Sequence, residues 1–311
     1  MTAADASRTA MATSLMRAVH ARQDPAPVLN DTWGEQLVPP LARAAFIERG
    51  MERVPPALRE RAMANPDALL HRVLRSNAAY ADVILRARYA EDALQAAVTR
   101  GVSQYVIIGA GFDSFALRRP AYAAQLAIYE VDHPATQRLK RQRLTESGVA
   151  DADAPHFIAT DLSTEGLGAA LARSTYQTTQ PSFFSWLGVT MYLTREVNLA
   201  TLRAIATHAP PGSELVFNYV DEAAFDPSFS APQSLQDLKN QVASVGESFQ
   251  SGFDPQTLAA ELRAVGLLLL EDLDGNQLLS QYDSSGKNGL HSPAAAHIAH
   301  ARIIAKGQSN T

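Results

Sequence analysis

Gln104-Tyr105-Val106-Ile107-Ile108-Gly109-Ala110-Gly111-Phe112-Asp113-Ser114 is the stretch on which the fold turns. A short run of β-formers ends abruptly in two glycines. That is the pattern of a buried strand meeting a tight turn, where a ligand can approach the backbone closely. Downstream, further apolar runs read as strands at 126–131, 156–159, 182–187, 214–220, 267–270 and 301–305. Helical periodicity fills most of the gaps, at 133–147, 164–173, 195–208 and 255–265. Strands alternating with helices predict a mostly parallel sheet covered on both faces. Upstream the texture is different. Residues 1–98 show no alternation of period two, and Pro25, Pro27, Pro39, Pro40, Pro55 and Pro56 break them into short helices. One longer helix is expected over 78–98, where Val83, Ile84, Ala87, Ala90, Leu94 and Val98 recur at three- and four-residue steps. The chain therefore divides into a helical cap, 1–98, and an α/β core, 99–311. Residues 221–253 carry no clear strand and read as a lid or, in a homodimer, an interface.

The glycines match half of the dinucleotide fingerprint G-x-G-x-x-G, with Ser114 where the third glycine would stand. In dinucleotide folds that glycine allows close helix–strand packing, so its absence weighs against a nicotinamide cofactor without excluding it. The second strand ends in Glu130-Val131-Asp132, and Asp132 follows Gly111 by 21 residues. An acid at that distance is placed to accept from ribose hydroxyls. It also reads as the start of a helix, since His133-Pro134 follows, and the two roles are compatible. Thr160-Asp161-Leu162 follows the third strand. There Asp161 can accept from an adenine amine beside the apolar wall of Leu162, or can cap the next helix.

Composition narrows the class. Of 311 residues, 46% are hydrophobic and 19% charged, enough for a sizeable core. The net charge of −5 and the scatter of arginines among acids disfavour nucleic acid and favour a small-molecule substrate. The absence of cysteine removes thiolate zinc sites and a cysteine nucleophile, and no metal site is expected. No run is long enough to span a bilayer and no signal peptide is evident at Met1–Ala12, so the expected location is the cytoplasm.

The ordered set of motifs resembles bacterial S-adenosyl-L-methionine-dependent methyltransferases of the leucine carboxyl methyltransferase-like superfamily. The carriers are Val106–Ser114, Tyr129-Glu130-Val131-Asp132-His133-Pro134, Asp161-Leu162, Ala21–Pro25 with Asn30-Asp31, Arg86-Ala87-Arg88-Tyr89-Ala90-Glu91-Asp92, and Ser182–Thr194. The resemblance implies a class I, Rossmann-like methyltransferase fold: seven strands, the last antiparallel, with helices on both faces. It implies S-adenosyl-L-methionine as cofactor and S-adenosyl-L-homocysteine as product. By the same analogy Gly109, Ala110 and Gly111 lie under the methionine part, Asp132 takes the ribose, Asp161 and Leu162 flank the adenine, and Glu130 and Leu187 are counted with the cofactor-binding residues. The cofactor carboxylate falls to Arg88, with Arg86 second. One departure is Leu187, where leucine carboxyl methyltransferases carry a glutamate; it removes an acceptor for the cofactor amine.

Methyl transfer asks for alignment and a dry site. A carboxylate acceptor is ionised at neutral pH and needs no base, whereas a phenol or alcohol benefits from one. The histidine candidates are His20, His133 and His208, and Tyr192 is a candidate for the acceptor pocket or for packing behind the fourth strand. The expected activity is therefore O-methylation of a small metabolite, a carboxylate or a hydroxyl, with secondary metabolism as the setting. A nicotinamide-dependent oxidoreductase and a catalytically silent cofactor-binding protein are the alternatives.

Overall fold

A computed structural model describes residues 7–225, 249–292 and 295–305. Its centre is a seven-stranded sheet. The strands are β1 (Gln104–Ile108), β2 (Ala127–Asp132), β3 (His156–Ala159), β4 (Ser182–Trp186), β5 (Glu214–Val220), β6 (Leu267–Asp274) and β7 (Ala296–Ile303). They lie in the order β3-β2-β1-β4-β5-β7-β6, and β7 runs antiparallel to both neighbours. The expected class I methyltransferase fold is thus observed, antiparallel last strand included.

β1, β4 and β5 are buried along their whole length, which is why they read as continuous apolar runs rather than alternating ones. Their side chains still alternate by face. Tyr105, Ile107, Phe183 and Val216 point to one side, Val106, Ile108, Phe184, Trp186, Leu215 and Phe217 to the other. The second side is covered by α8 (Leu167–Ala172), α9 (Arg195–His208) and α10 (Leu258–Ala264). The first side is covered by the N-terminal helices. Leu15, Met16 and Val19 of α1 (Arg8–Gln23) and Ile84, Leu85 and Leu94 of α6 (Tyr80–Thr99) share one core with the sheet. Between these two come α2 (Gly34–Leu37), α3 (Pro40–Glu52), α4 (Arg59–Met63) and α5 (Pro66–Arg75); α7 (Pro134–Glu146) follows β2.

Most elements fall within a few residues of the sequence reading, and three departures are larger. β7 starts at Ala296 rather than at Ala301 and ends at Ile303, because small alanines and two histidines hide its alternation. β6 runs on to Asp274 instead of stopping at Leu270, since its acids have partners within the fold: Glu271 accepts from Tyr89, and Asp272 accepts from Tyr219 at 2.7 Å. A helix not expected from the sequence, α11 (Gly275–Tyr282), begins with a capping box in which Asp274 and Gln277 satisfy each other's backbone N–H. Of the 221–253 segment, residues 226–248 lie outside the described residues.

Candidate active site

Strand order reverses between β1 and β4: β2 and β3 extend one way, β5 the other. In an open α/β sheet the crevice beyond the strand ends at such a switch point is where ligands bind. The turns that leave β1, β2, β3 and β4 all border one cavity of about 1130 Å³ there.

The glycine loop forms its floor. Gly109 and Gly111 have φ of 68° and 52°, in the left-handed region that disfavours other residues. A Cβ on Gly109 would collide with Val189, and one on Gly111 would sit 2.9 Å from the Ala10 side chain of α1. The loop is pinned to β2, for Gly109 and Ala110 donate their N–H to Val131 O at 2.8 and 3.1 Å. Asp132 accepts from the N–H groups of Gly111 and His133, so it braces the loop and opens α7 at once. Burial raises its carboxyl above the ordinary range, although both N–H donors pull the other way.

Asp161 and Leu162 line the same cavity. Ser163 donates its hydroxyl to Asp161 Oδ1 at 2.6 Å and its N–H at 2.9 Å, which holds that carboxyl below its usual value. Leu187, His133 and Tyr192 also line the cavity, and the Tyr192 ring meets Phe249 edge-on at 5.5 Å.

Other sequence candidates stand elsewhere. Arg88, first choice for the cofactor carboxylate, points away: it donates to Asp92 at 3.1 Å and to Val28 O at 3.2 Å, and lies over the Tyr282 ring. Arg86 borders the cavity instead, bonded to Asp82 at 2.5 Å, with its guanidinium 2.6 Å from where a Cβ on Gly188 would stand. Two residues are about 200° of helix, so only one of the pair can face inward. Glu130 lies beneath the loop and outside the cavity lining. It is bonded to Lys140, which also donates to Asp113 O at 2.6 Å, and burial pushes its carboxyl up to about 7. His20 is fully buried within the helical layer, where its Nδ1 meets Asp24 at 2.7 Å and its Nε2 accepts from Val28 N at 2.9 Å. His208 packs against Gly168 on the far face of the sheet. Neither histidine reaches the cavity.

Two features were not singled out from the sequence. Asn218 accepts from Gly188 N at 2.6 Å, and its backbone oxygen accepts from Thr190 at 2.7 Å, so it fixes the turn after β4. A lone amide inside Leu215–Val220 was the signal. Arg17 donates to Asp31 and to Phe112 O, both at 2.8 Å, and ties α1 to the glycine loop. Burial would raise Asp31, but Arg17 and Arg118 hold it low.

A sequence profile described as leucine carboxyl methyltransferase matches residues 10–206. The chain belongs to the leucine carboxyl methyltransferase family. It is 30% identical over 303 residues to YktD of Bacillus subtilis (strain 168), covering 96% of this chain and 98% of that one. YktD carries the provisional description S-adenosyl-L-methionine-dependent methyltransferase. A relative from Mycolicibacterium gilvum (strain PYR-GCK), with the same provisional description, is 30% identical over 217 residues, 68% of this chain and 65% of the relative. Among solved structures, a Streptomyces avermitilis protein of the duf574 family has a TM-score of 0.53 at 16% identity, covering 84% and 96% of the two chains. A Thermobifida fusca protein provisionally described as a methyltransferase has a TM-score of 0.53 at 14% identity and covers 94% of each. At that identity the structures speak for the fold alone, which this member of the leucine carboxyl methyltransferase family shares with them. The family assignment makes the chain a methyltransferase and sets the nicotinamide reading aside.

Proposed function

We propose that this methyltransferase transfers the methyl group to an oxygen of a small organic acceptor, a carboxylate before a hydroxyl. S-adenosyl-L-methionine is the cofactor, as the family and the description of YktD imply. When bound it supplies a methyl group already activated by its sulfonium. The residues present fit it. Two glycines leave a cradle that side chains would fill, Asp132 lies on the cavity wall at the end of β2, and Leu162 offers an apolar surface beyond β3. In this reading Gly109, Ala110 and Gly111 support the methionine part, Asp132 orients the ribose, Asp161 and Leu162 hold the adenine, and Arg86, rather than Arg88, binds the carboxylate. Glu130 acts through Lys140 by positioning the loop. With Leu187 in place of a glutamate, the cofactor amine falls to backbone carbonyls near Leu187 and Gly188.

The observation that carries oxygen over nitrogen as acceptor is the state of the acids. Each carboxylate lining the cavity already has a partner: Asp82 takes Arg86, Asp113 takes Phe115 N, Asp132 takes two backbone N–H groups and Asp161 takes Ser163. Of these, Asp82 is neutralised by Arg86, Asp132 and Asp161 belong to the cofactor in this reading, and Asp113 faces the glycine loop. That leaves no carboxylate assigned to a cationic amine acceptor, whereas a carboxylate acceptor brings its own nucleophile. The cavity exceeds the roughly 300–1000 Å³ of ordinary ligand pockets, so cofactor and acceptor can share it. If a hydroxyl is the acceptor, His133 is the base in reach of the cavity and Tyr192 a wall of the pocket.

Labelled-methyl transfer should be seen over a panel of small organic acids and phenols and not over matched amines. Transfer to amines alone would overturn the oxygen reading. Calorimetry should show S-adenosyl-L-homocysteine binding that Asp132→Ala weakens by about tenfold or more, the loss expected for a charge-assisted hydrogen-bond partner. Unchanged affinity would remove Asp132 from the site.

A further inference from the structure

The charges around the cavity do not balance evenly. Arg17 and Arg86 are each paired with an aspartate. Arg8 of α1 lines the cavity by itself; Arg49 and Arg53 line it together, and among the described residues neither of these two has a carboxylate within 4.0 Å. Arg49 lies in the last turn of α3 and Arg53 caps it in helical conformation, so Phe46, Arg49, Gly50 and Arg53 fall at i, i+3, i+4 and i+7 and share one face. That face is turned to the cavity by a close helix crossing: Gly50 is buried against Val73 of α5, where a Cβ would collide. The Arg49 guanidinium stands 4.9 Å from the centre of the Phe46 ring. Both arginines are exposed, and two like charges at i and i+4 repel modestly, so an anion bound between them would relieve that repulsion. The helix C-terminus satisfies part of it, as it does for any basic residue there.

Position along the cavity gives the demand a length. Arg86 borders the turn after β4, at the proposed cofactor carboxylate. Going back along α6, Asp82 and Ala79 line the cavity in turn, and then Asn77 and Val73 lead to α3. From Ala79 to Arg86 is seven positions, about 10 Å at the helical rise. The wall in between is largely apolar, with Met16, Val83, Met191 and Phe249.

We infer that Arg49 and Arg53 form an anion subsite for the acceptor's far end. The substrate class is then an elongated amphipathic organic anion, with its acidic group on α3 and its apolar body running toward the glycine loop. Whether the far group is a carboxylate or a phosphate is read by the test. The inference rests on the methyl-transfer reading only for which end of the acceptor reacts; the binding preference stands without it.

The test uses the full chain with S-adenosyl-L-homocysteine present, titrated calorimetrically with decanoate, decyl phosphate, decan-1-ol and decylamine. At least one of the two anions should bind about tenfold or more tightly than the alcohol and the amine, as expected for one or two charge-assisted contacts. The tighter of the two anions identifies the far group. Arg49→Gln/Arg53→Gln should abolish the preference and leave S-adenosyl-L-homocysteine affinity unchanged, which also shows that the variant is folded. Equal binding of decylamine or decan-1-ol, or a preference that survives in the double variant, overturns the subsite. Failure of the wild-type chain to bind S-adenosyl-L-homocysteine would count against the cofactor reading instead. The anion preference would then be scored on the chain alone.

Discussion

Arg86 and Arg88 differ by two positions on one helix and by almost everything else. Arg86 is held by Asp82 at the cavity; Arg88 joins α6 to Val28 and to Tyr282 of α11. Arg86→Gln is therefore expected to weaken S-adenosyl-L-homocysteine binding about tenfold or more, the usual loss for a charged partner of a carboxylate. Arg88→Gln should leave that affinity in place and instead lower the unfolding midpoint. Calorimetry and thermal melts on both variants separate the two, and equal effects on binding would reject the assignment. The sequence named both arginines and put Arg88 first; motif spacing fixes the helix but leaves its rotation about its own axis open. That rotation is set by Ile84, Leu85 and Leu94 packing on the sheet. Asn218 illustrates another limit. Its role depends on Gly188, a neighbour 30 residues away in sequence that only the pairing of β4 with β5 brings close.

At the scale of elements, legibility followed the continuity of apolar residues along the strand. β1, β3 and β5 have the limits that their apolar runs suggest, while β6 and β7 do not. β6 carries acids whose partners, Tyr89 and Tyr219, come from α6 and β5, so a stretch that reads as a solvated loop is strand. The glycine loop was legible as a turn, but what crowds it was not: Val189 on one side and Ala10 of α1 on the other. Gly109→Ala combines a left-handed φ with a collision against Val189. It should cost about 1–3 kcal/mol of stability, measured by urea unfolding, and weaken S-adenosyl-L-homocysteine binding as well. A fully stable variant with native affinity would mean that the loop tolerates a side chain.

Across the whole molecule, Glu214 joins three distant pieces of chain. At the start of β5 it accepts from Arg100 just beyond α6 at 2.8 Å, and from His300 and Arg302 of β7 at 2.9 and 3.0 Å. Burial would raise its carboxyl, but these partners outweigh it and hold it near about 2. A carboxyl depressed in the folded state stabilises above its unfolded value near 4.5 and loses that contribution as pH falls through about 2. With the half-exposed arginines screened by solvent, the contribution is about 2 kcal/mol. Urea midpoints should therefore fall more steeply from pH 5 to pH 2 in the wild type than in Glu214→Gln, and parallel curves would refute the role.

The strand order has a consequence for how the chain is made. Of the described strands β7 is synthesised last, yet it is the penultimate strand of the sheet, wedged between β5 and β6. Until it arrives, β6 has no partner and β5 has an open edge. The helical layer waits as well, because Arg75 and Ala26 are tied to Asn288, the latter pair 262 positions apart. Translation thus delivers β5 and β6 before the strand that joins them, and a ribosome stalled before Ala296 would present the open edge of β5 and the unpaired β6 to the chaperones around it.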